Sequence, residues 1–406
     1  MKFSIPLNLK FSIPLNQIRW KREETSLLIK MFFAQSILLC PDVFSHIFFY
    51  RYIRWMQTGL CLISLVIILS RYLSNKYIWA NLLFFTILTI ATIRVGLDFE
   101  SLMLYSSRAI GIVVLYYYVS HKNYLLFWKG ASDYFFLMGL LNTILTILYP
   151  GGLLFDVTAN GKNKGYYLLG NTSQVIPFYI ISIAIAIIYY RQTGEKKSRP
   201  GFIYLQALIC DLIYGSMTSL VMLFIFLLLH LILQNNKPTI KKGKKLAFLA
   251  IVFVFLWYYA LLVLNVQVLF RLIIEKVLHK DVTLSTRVVI WNRAFQLIKK
   301  SLLLGYGAST RRLIVFGSRS FDAHNTVLQI MLMGGILLLA SYIWIIIIAF
   351  KNWTKCKSQM KMTGLVLFIA FAIGASAEMY VFTYIFLIPL IIYLIGEKQD
   401  NPAISI

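Results

Sequence analysis

Residues 237–264 read KPTIKKGKKLAFLAIVFVFLWYYALLVL. Five of the first nine residues are lysine, and the next nineteen carry no charge, no glycine and no proline. A bilayer hydrocarbon core about 30 Å thick takes about 20 residues of helix at 1.5 Å rise per residue. Backbone groups have no water to bond in lipid, so an apolar run of this length must satisfy them internally as a helix. The stretch therefore reads as a transmembrane helix, and its basic flank holds that end on the cytoplasmic side.

The same rhythm recurs along the chain. It predicts twelve spans, at 31–50, 55–72, 77–96, 99–120, 131–150, 170–190, 200–214, 216–234, 246–265, 325–350, 362–378 and 380–396, with both termini cytoplasmic. The fold class expected is an all-α polytopic membrane protein. A mean hydropathy of +0.75, with 59% hydrophobic and 14% charged residues, excludes an ordinary soluble domain. The net charge of +25 does not indicate nucleic acid, because much of it sits in basic inter-helix loops at 192–199, 237–245 and 351–361, where it sets topology. The four cysteines, Cys40, Cys61, Cys210 and Cys356, are scattered without disulfide or metal spacing. Residues 1–30 are basic and polar, contain KFSIPLN twice, and read as a disordered segment rather than a signal peptide. Residues 397–406 read as a cytoplasmic tail.

One segment breaks the rhythm. Residues 266–324 fall outside the membrane in this topology, yet they carry ten Lys/Arg against three Asp/Glu. Extracytoplasmic loops normally hold few basic residues, so a basic one points to an anionic substrate. Residues 267–280 read as a surface-lying amphipathic helix. A second helix starts after Ser285 and Thr286 as N-cap and ends at Lys299–Lys300, before the turn Gly305–Tyr306–Gly307. On it Arg287, Trp291, Ala294 and Ile298 share one face. A guanidinium can hold a phosphate through two parallel hydrogen bonds, and an indole beside it can stack on a sugar; equally, the Trp can anchor an interfacial helix.

Asp322–Ala323–His324–Asn325 stands where the loop returns to the membrane. A neutral imidazole there can take a proton from a hydroxyl, and a cationic one can bind phosphate. Arg311, Arg312 and Arg319 add positive charge upstream. Arg94, Arg108 and Asp211 lie inside the predicted spans, and Arg108, near the middle of its span, calls for a partner or a polar cavity.

These segments together resemble the O-antigen polymerase/ligase family, the Wzy- and WaaL-like membrane enzymes. The resemblance rests on Arg287, Trp291 and Ala294, then Leu304–Gly305–Tyr306–Gly307, then Ala323–His324–Asn325–Thr326 with Leu328 and Gln329, leading to Gly334–Gly335. A weaker echo is Leu169–Gly170–Asn171–Thr172–Ser173–Gln174 at the opening of a span. Two positions depart from the family pattern: Met217 stands where an Arg is usual, and Leu302 where a Pro is usual.

The resemblance implies a glycosyltransferase-C-like enzyme that moves glycans from undecaprenyl pyrophosphate. It implies Arg287 on the departing diphosphate and His324 on the acceptor hydroxyl as catalytic groups. Trp291, Arg311, Arg312, Asn325 and Arg108 are then expected to bind substrate. Without a clustered acidic metal site, arginines are the natural stabilisers of the leaving group, so a metal-independent, inverting displacement without a cofactor is expected. The first reading is polymerisation of lipid-linked repeat units into O-antigen or capsular polysaccharide at the outer face of the inner membrane, beside a flippase and a chain-length regulator. A ligase using a second acceptor is the alternative, and a lipid-linked-sugar flippase is the rival of another class.

Overall fold

The computed structural model describes residues 24–32, 35–36, 39, 41, 43–44, 49–71, 75–96, 102, 111, 113, 123–157, 163–235, 239–266, 287–308, 314–316, 319–356, 359–380 and 382–397. Its helices are α1 (Tyr50–Arg71), α2 (Lys76–Val95), α3 (Tyr124–Leu148), α4 (Thr172–Thr193), α5 (Arg199–Tyr214), α6 (Met217–Leu233), α7 (Ile240–Leu262), α8 (Arg287–Lys300), α9 (Thr326–Trp353), α10 (Met360–Ala375) and α11 (Phe382–Glu397). Five of them, α2, α3, α4, α7 and α9, are long and apolar enough to cross a membrane. Three shorter apolar helices follow the same pattern at Met217–Leu233, Met360–Ala375 and Thr383–Glu397. The chain is thus mostly helical, as a polytopic membrane protein should be.

Two small antiparallel sheets depart from the all-α expectation. Strands β1 (Leu154–Val157), β2 (Asn163–Tyr167) and β3 (Gly170–Asn171) form one sheet between α3 and α4, and β4 (Ile314–Phe316) pairs with β5 (Arg319–Phe321) between α8 and α9. The first sheet runs directly into α4, where Asn171 caps the helix by accepting from the amides of Ser173 and Gln174. Helix boundaries also move. Asn123 accepts from Leu126 N at 3.0 Å, so α3 opens seven residues before the predicted span. Thr239 caps α7, which puts Lys241, Lys242, Lys244 and Lys245 on exposed positions of the helix itself rather than in a loop. Most of the predicted span 99–120 and half of 31–50 lie outside the described residues, as does the whole amphipathic stretch 267–280.

Packing follows hydrophobicity. Helix α4 is apolar all round and buried on nearly every side, between α3, α5 and α10. Helix α7 is the opposite case. Phe248, Phe253, Phe255 and Leu256 point outward from it, which suits lipid rather than water. A buried polar cluster ties α3 to α4 and α5: Asn142 Nδ2 donates to the hydroxyls of Tyr179 at 3.2 Å and Tyr214 at 3.1 Å. Such bonds hold membrane helices together where apolar packing gains little over lipid.

In the same core α9 packs between α2 and α11. It is broken at Gly334–Gly335, where Gly335 has a φ of 65°. The turn after α8 docks into that break. Tyr306 N donates to Leu332 O at 2.7 Å, Gly307 N to Met333 O at 2.8 Å, and Ile336 N to Leu302 O at 2.8 Å. The backbones come so close that a Cβ on Gly335 would lie 2.3 Å from the Leu303 carbonyl, and one on Gly305 2.5 Å from Leu332 O. Both glycines have positive φ as well, so neither position accepts a side chain without rearrangement. The two glycine motifs are thus two halves of one joint that fixes α8 across α9.

Candidate functional site

The joint places α8 so that its first residue, Arg287, stands beside the N-terminus of α9. Three features put it there. Ile290, Trp291, Ala294 and Ile298 bury one face of α8 against Leu328 and Leu332 of α9 and Leu261 of α7. Tyr306 Oη donates to Leu297 O at 2.9 Å and closes the end of the helix onto its turn. Arg94, at the end of α2, donates to Gly305 O and, at 2.8 Å, to Ser301 Oγ. Arg94 therefore anchors the turn rather than lining a cavity within the membrane.

The start of α9 is equally determined. Asn325 is its N-cap, accepting from Leu328 N at 3.0 Å, and its Nδ2 donates to Ser376 O at 2.7 Å. Ala323 N donates to Gln329 Oε1 at 2.9 Å. Thr326 Oγ1 donates to Glu378 O at 3.2 Å. Two other helices grip the same turn, residues 376–379: Trp257 Nε1 donates to Ser376 Oγ at 2.9 Å, and Gln174 Nε2 to Met379 O at 2.7 Å. The turn after α10 is therefore held by side chains from α4, α7 and α9.

That turn delivers Glu378. One carboxylate oxygen pairs with Arg287 Nη2, and the other lies 3.5 Å from His324 Nδ1. Asp322 Oδ1 stands 3.5 Å from the same imidazole nitrogen and accepts the His324 backbone N–H at 3.0 Å. His324 has a φ of 44°, a left-handed conformation that non-glycine residues seldom adopt. The Asp322 side chain stabilises it by closing a short loop onto the backbone. Arg287 and Glu378 are mostly sheltered, with side chains 18% and 12% exposed, whereas His324 stays open to solvent over 34% of its side chain. Burial disfavours the imidazolium, but the Glu378 hydrogen bond and the Asp322 charge together outweigh it, so the His324 pKa is raised above 6.5.

The result is two carboxylates, one guanidinium and one imidazole in contact at the mouth of α9. With Nδ1 turned to the carboxylates, Nε2 is the ring atom left to meet a substrate. One N–H of the guanidinium is paired with Glu378, so an anion that takes that edge must compete with the carboxylate.

Of the residues expected from sequence, the structure brings Arg287, His324 and Asn325 together. Asn325 acts there as a cap and a brace, fully buried. Trp291 is a correction. Its ring is 1% exposed inside the α8–α9 core, so it packs the helix that carries Arg287 and offers no sugar platform. Arg108, Arg311 and Arg312 lie outside the described residues, and the side chain of Arg319 does too. Asp211 is buried in α5, and its Oδ1 has no hydrogen-bond partner among the described residues. The sequence reading missed Glu378, although a signal existed: it is the lone charged residue in 362–396.

A protein-family model described as O-antigen ligase matches residues 202–343, from α5 into the second half of α9. The match covers Arg287, both glycine motifs and His324, and stops short of Glu378. No curated protein matches the chain.

Proposed function

For a chain that residues 202–343 support as a member of a Wzy/WaaL-like family of membrane glycan-processing enzymes, we propose polymerisation of lipid-linked oligosaccharide repeat units. The donor is a glycan on undecaprenyl pyrophosphate, and the reaction takes place on the outer face of the cytoplasmic membrane, with 266–324 as the extracytoplasmic catalytic segment. The observation that carries the reading is the Arg287–Glu378–His324–Asp322 cluster at the start of α9.

The steps follow from the charges. The donor pyrophosphate draws Arg287 away from Glu378, because the planar guanidinium fork can span two phosphate oxygens. Glu378, released, turns its full charge on His324. The acceptor hydroxyl attacks the anomeric carbon while Nε2 of His324 takes its proton, and the carbon–oxygen bond to the diphosphate breaks. Arg287 stabilises the charge that develops on the departing diphosphate. One displacement inverts the anomeric centre, and neither a metal nor a cofactor enters the scheme.

The test is turnover of a purified lipid-linked repeat unit by the purified protein. Growth of longer lipid-linked chains supports polymerisation. Because the matching family model is described as O-antigen ligase, the second reading is transfer of a finished glycan to a different acceptor. In the same assay a ligase gives no chain growth until a lipid A-core acceptor is added. A flippase gives neither product, but moves the donor across liposome membranes.

A further inference from the structure

A second feature lies at the other end of α4. Gln174 of this helix grips the catalytic turn, and Arg191 is placed roughly 25 Å further along at 1.5 Å per residue. There a cavity of about 340 Å³ opens between the end of α4, the start of α5 and the end of α6.

The chemistry of the cavity changes with depth. The buried Ile183, Ile187 and Phe226, on which the His230 ring stacks, form its apolar wall; Arg191 and Lys197 line it nearer the surface, and no carboxylate is among its described lining residues. The nearby acids are engaged elsewhere. Asp133 pairs with Lys196 at 2.8 Å and Arg199 at 2.7 Å, and Glu195 accepts from Tyr189 Oη at 2.5 Å. Arg191 is fixed by donating to Gln359 O at 2.7 Å and Gln234 O at 3.1 Å, which uses two of its five N–H groups.

Helix α5 begins at this mouth. Its N-cap Ser198 makes no side-chain cap bond, and its first turn holds Pro200 and Gly201. Gly201 lines the cavity, and a Cβ there would meet nothing within 4 Å. Two basic side chains, Arg191 and Lys197, beside the opening of α5 give the mouth the charge to hold an anion. A small free anion would need no apolar wall behind it, whereas a lipid uses both parts.

We propose that this cavity is a binding site for a phosphate-bearing lipid, its headgroup held by Arg191 and Lys197 beside the start of α5 and its hydrocarbon chain laid against Ile183, Ile187 and Phe226. The site is on the membrane face opposite the catalytic cluster, and the proposal does not depend on the glycan-transfer reading.

The experiment is native mass spectrometry of the full chain in detergent, offered dioleoyl phosphatidylglycerol or dioleoyl phosphatidylcholine. One phosphatidylglycerol should be retained in preference to phosphatidylcholine. Lys197→Gln should weaken that retention about fivefold, the worth of one basic residue facing an anionic headgroup. Gly201→Phe should abolish it by filling the mouth, with the thermal midpoint kept. Equal retention of the two lipids, or retention unchanged by both substitutions, overturns the proposal. So does displacement of the lipid by millimolar inorganic phosphate, which would mark a site for the free anion.

Discussion

Glu378 accepts a charge-assisted hydrogen bond from Arg287, although 91 positions separate the two in the chain. The pair joins α8 to the turn between α10 and α11. On the proposed reading, it is this pair that the donor pyrophosphate must open.

The exchange predicts opposite effects for two substitutions. Arg287→Ala should abolish long-chain product while the protein still inserts, and Arg287→Lys should be nearly as poor, since an ammonium lacks the planar fork. Glu378→Gln, by contrast, should tighten donor binding by freeing Arg287, yet lower turnover by depriving His324 of its partner. Donor affinity and single-turnover rate, measured separately, check this. Near-normal chains from Arg287→Lys would reduce that residue to a steering charge.

The layout of this site was legible to unequal depth. Arg287, His324 and the glycine motifs could be read from the chain because each is local: a helix start, a span start, a turn. Trp291 was placed on the right face but given the wrong task, since helical spacing shows which residues share a face and not whether that face meets lipid, substrate or another helix. Glu378 could not be paired with Arg287 from the sequence, because the contact depends on how α8 docks across α9. The two small sheets were missed for a related reason. Their strands are 2 to 5 residues long, too short for alternation to stand out.

The α8–α9 joint should be intolerant of added atoms. Gly335→Ala brings a Cβ against the Leu303 backbone at a position with φ of 65°. Left-handed strain costs about 1–2 kcal/mol and overpacking about 1–3 kcal/mol more. A lower thermal midpoint and loss of turnover are expected together. Unchanged stability in Gly335→Ala would show that the turn after α8 does not rest in the break of α9.

Sidedness is open to direct labelling. In a cysteine-free background, Lys299→Cys on the exposed face of α8 should react with an impermeant thiol reagent in whole cells. Lys355→Cys, exposed between α9 and α10, should react only after permeabilisation. The reverse pattern would put the cluster on the cytoplasmic face and remove the proposed reaction with it.

The last prediction concerns His324 as the base. His324→Ala should leave donor binding largely intact and cut turnover by roughly 10²–10⁴-fold, the usual worth of a positioned acid–base group. A base works when deprotonated, so activity should fall as pH drops through the folded pKa of His324, which lies above 6.5. Asp322→Asn separates charge from geometry. The amide oxygen can still accept the His324 backbone N–H, but the negative charge that favours the imidazolium is gone. The acid limb of the profile should therefore move to lower pH in Asp322→Asn, with the maximal rate changed less than in His324→Ala. The same raised pKa makes a stability contribution that is fully present below 6.5 and lost as pH rises through the folded value. Thermal midpoints against pH should show that loss in the wild type and a smaller one in Asp322→Asn. If His324→Ala instead loses donor binding, and residual activity keeps the wild-type pH profile, the imidazole is a phosphate ligand and the acceptor hydroxyl reacts without it.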